Sequence, residues 1–164
     1  MSITVYAAVW FLPFVLPLCL YAAYTDLASM RITNPTVLAL GAVFLIIGPI
    51  ALPLETYLWH LLAMVVTLII GIFLNAVGAM GAGDAKFIAA GVPFIALGDL
   101  RLMMALFMAT LLAAAVTHRG VKYTPLRKLA PDWTSWDQTR KFPMGLALGP
   151  ALAIYLILGA LFGA

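Results

Sequence analysis

Apolar residues fill this chain in long blocks, and the polar residues between them mark where helices should end. About 20 mostly apolar residues are needed to cross the hydrocarbon of a bilayer as a helix. Six blocks approach that length, over 3–24, 35–51, 56–77, 85–98, 100–118 and 143–163. The fourth is short and carries Gly91 and Pro93, which predicts a tilted, broken or half-buried helix enclosed by the others. The pattern therefore predicts an all-α, polytopic integral membrane protein of about six transmembrane helices, folded as one domain over 1–164. No soluble domain, coiled coil, low-complexity tract or convincing internal repeat interrupts it.

Composition strengthens that reading. The chain is 65% hydrophobic and 9% charged, with a mean hydropathy of +1.12. A soluble domain of this size lacks the interior to hide so much apolar surface, so the solvent is lipid. A net charge of +3 gives no support to nucleic-acid binding. Cys19 is the single cysteine and sits in an apolar run; it reads as a small buried hydrophobe. No Cys/His cluster offers a zinc site, and no cofactor is expected. The first block lacks a preceding basic residue, contains Pro13 and Pro17, and is followed by further spans. It reads as a retained span and not a cleaved signal.

Basic residues orient the spans. Arg31 and Lys86 lie in two short connections, and Arg119, Lys122, Arg127, Lys128, Arg140 and Lys141 in the 119–142 segment. The opposite connections hold Glu55, Asp99 and Arg101. By the positive-inside rule the first set faces the cytoplasm, and both termini face outward. Trp133 and Trp136 among the basic residues of 119–142 suggest an anchor on anionic lipid, with a substrate-binding arm as the alternative.

Two acids carry the candidate chemistry. Asp84 stands in Gly81-Ala82-Gly83-Asp84-Ala85-Lys86, a glycine-rich turn between apolar blocks. A charge at bilayer depth costs about 3 kcal/mol or more, so it is a functional hypothesis by default. Asp26 follows the first apolar block, where the first helix should end before Pro35 opens the next. Two spans, out and back, separate the acids, which returns both to one membrane boundary. Two neighbouring carboxylates do not both ionise cheaply, so one tends to keep a proton. Such a pair can activate water and polarise a peptide carbonyl with no metal and no covalent intermediate.

Each residue also has a plainer role. Asp26 would mark the interface, Asp84 would cap the fourth helix, and Asn34 would cap the second. Lys86 would keep the pair partly ionised or snorkel to the headgroups. Asn75, before the glycine turn, would bond another helix or position the turn. His60 and His118 read as interfacial histidines. Gly145-x-x-x-Gly149 and Gly159-x-x-x-Gly163 offer close helix packing, within the chain or in a homodimer.

Asp26 with Arg31-Ile32-Thr33-Asn34, then Gly81 to Lys86, then Pro143-Met144-Gly145 with Gly149-Pro150, resembles the prepilin peptidases (type IV leader peptidases, GxGD-type aspartyl proteases). The likeness covers most of the chain, and its size is that of compact Tad/Flp-type members. It implies Asp26 and Asp84 as the catalytic pair, with Gly81, Gly83, Lys86, Arg31, Asn34 and Asn75 as supporting residues. It implies cleavage of short basic leaders from type IV (Flp-like) prepilins or pseudopilins at the cytoplasmic face of a bacterial inner membrane. The cut follows a glycine that precedes a hydrophobic helix. The cysteine-rich zinc insertion of larger members, often tied to methylation, is missing. Thr33 stands where proline is common, and Phe87 where leucine is frequent. Pro150-Ala151-Leu152 echoes the presenilin type, whose acids lie on consecutive helices; here two spans intervene. The competing functions are a non-catalytic scaffold of a pilus or secretion assembly and a proton-coupled transporter.

Overall fold

The computed structural model describes residues 1–138 and 142–164; Arg140 and Lys141, two of the basic residues counted above, lie outside the described residues. Among those described, all regular structure is helical. Five helices are long and apolar enough to cross a bilayer: α1 (Val5–Ser29), α2 (Asn34–Ala51), α3 (Leu54–Ala76), α5 (Leu100–Lys122) and α6 (Gly145–Phe162). The sixth, α4 (Ala82–Gly91), has ten residues and gives way to short 3₁₀ turns at Val92–Phe94 and Leu97–Asp99. This is the interrupted fourth helix that Gly91 and Pro93 predict.

Boundaries follow local chemistry. Thr4 caps α1 by accepting from the Ala7 N–H at 3.2 Å. The helix does not end before Asp26, as the polar residues there suggested. It continues to Ser29, because Thr25 and Ser29 turn their hydroxyls back onto the carbonyls of Ala22 and Thr25 and so remain compatible with helix. Met30 then stops it in the left-handed region at φ 54°, its N–H bonded to the Asp26 carbonyl at 2.9 Å. Asp26 thus sits in the last turn of a helix.

Asn34 does not cap α2. The residue before it, Thr33, takes that place, accepting from the Thr36 N–H at 3.4 Å and bonding the Thr36 hydroxyl at 2.6 Å. Pro35 occupies the first turn as expected.

The centre of the fold is the contact between α1 and α6, where small residues bring backbones together. A Cβ on Gly149 would collide with the Cys19 carbonyl, and one on Gly159 would lie 2.9 Å from Ile3 and 3.1 Å from Ala8. Gly145 and Gly163 face α1 and the residues leading into it in the same way. The glycine faces that offered packing within the chain or in a homodimer are used within the chain, because α1 supplies the small surface they need (Ala7, Ala8, Cys19 and Ala22 are fully buried). Around this pair, Phe11, Phe44 and Phe94 form an aromatic cluster joining α1, α2 and the end of α4.

Polar anchors close the opposite end. Asp99, read as a loop residue, is buried and accepts from the Ser2 and Ile3 N–H groups and the Tyr155 hydroxyl at 2.7–3.0 Å. Both histidines, read as interfacial, are packed inside the bundle. His60 is buried, bonded to the Pro93 carbonyl at 2.6 Å, and His118 is buried with its ring stacked on Trp136. By contrast α3 and α5 turn long apolar faces outward: Ile69, Ile72, Phe73, Met104 and Leu112 are each about 60% exposed or more, as lipid-facing residues are.

Gly149→Val should cost about 1–3 kcal/mol through overpacking against α1, read as a lowered unfolding temperature in detergent. The same substitution at Gly41, which has open space around its Cα, should leave stability nearly unchanged.

Candidate active site

The site is assembled from three chain turns at one end of the bundle. The first is the tail of α1 with the link Met30 to Thr33, the second is the α3–α4 connection, and the third is the start of α6. They enclose a cavity of about 790 Å³ lined by Asp26, Asp84, Arg31, Asn34, Lys86 and Met144, among others. Sequence reading brought together Asp26, Asp84, Arg31, Asn34, Gly81, Gly83 and Lys86, and all seven line this cavity.

Asp26 is buried at 5% exposure on the α1 face that meets α6. Its Oδ2 accepts the Gly145 N–H at 2.6 Å. That N–H is free to donate because it opens a helix, where first-turn amides lack partners within the helix. Closeness is the reason for glycine here. A Cβ at Gly145 would lie 2.9 Å from the Asp26 Cβ and 3.2 Å from the Ala22 carbonyl oxygen. Sequence reading named Gly145 as a packing glycine and as part of Pro143-Met144-Gly145, but not as the partner of Asp26; the signal that could have found the pairing is that this turn is followed at once by an apolar helix.

The α3–α4 connection is shaped by its glycines in distinct ways. Gly78 takes φ +75° just past the end of α3, a region open to glycine at little cost. Asn75, in the last turn of α3, donates from Nδ2 to the Met80 carbonyl at 2.9 Å. It is exposed and holds the turn, so the expected bond to another helix is replaced by a local one, its amide being within reach of the loop five residues ahead. Gly81 is the N-cap of α4 and supplies no side-chain cap. Asp84, in the first turn, folds its carboxylate back over this residue: a Cβ on Gly81 would meet the Asp84 Oδ2 at 2.7 Å. Gly83 is less confined, since a Cβ there would reach Ile32 at 3.5 Å, ordinary contact.

Two contacts press the α1–α2 link onto α4. Ile32 packs on Gly83, and Lys86 donates from Nζ to the Asn34 Oδ1 at 3.1 Å. The lysine is thereby held by the link and does not snorkel freely. Gly71 on α3 backs the same helix, its Cα facing Ala85 closely enough that a Cβ would sit 3.1 Å away.

Electrostatics follow from this enclosure. Burial pushes the Asp84 carboxyl up to about 6, and the negative charge of Asp26 adds to the shift. Asp84 therefore feels the charge of Asp26 across the cavity. Among the described residues no group of three or more His, Cys, Asp or Glu side chains gathers as a metal site would require.

Comparison with known proteins is consistent with this geometry. A family model described as the type IV leader peptidase family matches residues 13–118. The match spans both acids, the link between α1 and α2, and the whole glycine turn.

The chain belongs to the type IV leader peptidase family.

No curated protein and no solved structure matches it. The family is one of peptidases. The match stops at His118, yet beyond it Met144 lines the same cavity and Gly145, which opens α6, bonds Asp26.

Two predictions follow from crowding and charge. Gly81→Ala should leave the fold intact, because the atom in its way is the movable Asp84 carboxylate, but it should displace that carboxylate and lower activity at least tenfold. Gly83→Ala should have a milder effect; unfolding temperature and turnover measured together separate the two. Asp84→Asn should raise the unfolding temperature above pH 6. There the wild-type carboxylate is ionised in both states and its burial opposes folding. The gain should vanish below pH 3.8, where the carboxyl is protonated both folded and unfolded.

Proposed function

We propose that the protein is an aspartyl endopeptidase that removes the short basic leader from type IV (Flp-like) prepilins or pseudopilins. The single observation that carries this reading is that Asp26 and Asp84, 58 positions apart in sequence, line one cavity at the end of the bundle. The family assignment supplies the reaction class.

The chemistry follows from the environments of the acids. The Gly145 N–H bonds the Asp26 carboxylate and fixes its position. Asp84, raised by burial and by the neighbouring Asp26, is assigned as the member that keeps the proton, leaving Asp26 as the ionised partner. The ionised carboxylate takes a proton from water as the water oxygen bonds to the scissile carbonyl carbon. The protonated carboxyl gives its proton to the carbonyl oxygen, producing a neutral tetrahedral diol. Return of a proton from Asp26 to the amide nitrogen, with loss of a diol proton to Asp84, breaks the C–N bond and restores the pair. The titration steps of such a pair belong to the pair and not to one residue.

Arg31, Lys86 and the basic residues of 119–142 support a cytoplasmic position for this end of the bundle in a bacterial inner membrane, with both termini outside. The substrate enters from lipid, its leader reaching the cavity from the cytoplasm. The enzyme acts without a cofactor and binds membrane lipid and precursor, not nucleic acid.

Leader cleavage of a prepilin co-incorporated in membranes tests the reading. Asp26→Asn and Asp84→Asn, at matched protein levels, should each lower cleavage by about 10²–10⁴-fold or more; survival of cleavage in both would overturn it. In the wild type, kcat/KM should decline as pH rises through about 6, as Asp84 loses its proton. A flat profile from pH 5 to 8 would contradict the assignment of Asp84 as the proton donor.

A further inference from the structure

A second, apolar cavity of about 240 Å³ lies between α4, α5 and α6. It exists because α4 packs on α2, α3 and α6 while α5 packs on α6, leaving a gap between α4 and α5. Its walls include Phe87, Ile88 and Gly91 of α4, Leu148 and Leu152 of α6, and Met104 of α5. Met104 is 60% exposed at the rim, so the groove opens sideways toward lipid.

Its alignment with the acid cavity is what gives it meaning. On a helix, positions three, four and seven apart share one face. Phe87, Ile88 and Gly91 are three, four and seven residues after Asp84, so they continue the face that carries the acid. On α6 the same holds for Met144, which lines the acid cavity, and for Leu148 and Leu152, one and two turns later. Two helices thus run unbroken from the polar cavity into the apolar groove. At 1.5 Å per residue the groove begins about 5 Å beyond Asp84 and reaches about 10 Å beyond it.

We propose that this groove is the specificity site for the apolar segment of the substrate that adjoins the scissile bond. The inference rests on the peptidase reading above. A chain cleaved at the acids and continuing into the bilayer must leave the polar cavity along these two faces. The groove is the opening they share, and its volume suits a large apolar side chain rather than a whole helix. An extended substrate covers 5–10 Å in two or three residues, so the side chains selected lie within a few residues of the cut. The site therefore discriminates by size and hydrophobicity just past the bond, while the polar cavity handles the leader.

Photocrosslinking in membranes tests this. p-Benzoylphenylalanine replaces Met104 in one sample and Ile69, on the lipid-facing side of α3, in another, each in an Asp84→Asn background that holds uncleaved prepilin. Adducts to the apolar segment next to the cut are expected from position 104 and not from position 69. In the catalytically intact protein, Met104→Trp should raise KM for the prepilin about fivefold and leave kcat unchanged. Lipid adducts alone at position 104, or an unaltered KM, would overturn the groove while wild-type cleavage stands. Failure of the wild-type protein to cleave any prepilin would instead remove the peptidase reading, and the groove with it.

Discussion

The structure depends on how closely α6 can approach α1. A carboxylate near the end of an apolar helix needs a polar partner from a neighbouring backbone, and only a residue without a Cβ can bring that backbone near enough. Gly145 does so at 2.6 Å, and Gly149 and Gly159 keep the helices close along the rest of their length. In lipid, where apolar surface gains nothing by leaving a medium like itself, such close packing is the main source of helix association. The contact that stabilises the bundle is therefore the same contact that fixes one of the two acids.

The second acid is held by different means. Asp84 rides on a ten-residue helix that does not span the membrane alone, gripped by Gly71 from α3 and by Ile32 and Asn34 from the α1–α2 link. Its carboxylate occupies the space a side chain on Gly81 would fill. Enclosure raises its affinity for a proton, and the nearby Asp26 raises it further. A half-buried acid of this kind works against folding at neutral pH. The fold tolerates it through the packing of the five long helices, as sites that store chemical potential commonly require.

Much of this was legible in the chain. Lipid as solvent, the broken fourth helix and the shared boundary of Asp26 and Asp84 all follow from apolar blocks and the few charges between them. The misreadings share one cause: a polar residue near a helix end was given its usual local role. Asp26 and Thr25 suggested a helix end, yet Thr25 satisfies itself within the helix and Asp26 faces α6. Asn34 suggested a cap, yet Thr33 one position earlier had the better geometry and Asn34 turned to Lys86. Gly145 looked like a packing glycine, and its amide proved to be the partner of Asp26. Such pairings depend on helix rotation and crossing, which apolar blocks do not encode. The lateral groove was likewise hidden, since a gap between α4 and α5 is a property of packing and not of either helix.

The central claim is that Asp26 and Asp84 act as one coupled pair. Isotope-edited infrared titration of the Asp84 carboxyl, in membranes, for the wild type and for Asp26→Asn, tests it most directly. The account predicts half-protonation near pH 6 in the wild type and a clear shift to lower pH once the Asp26 charge is removed. The same midpoint in both proteins would show that the acids do not sense each other, and would contradict a shared catalytic site.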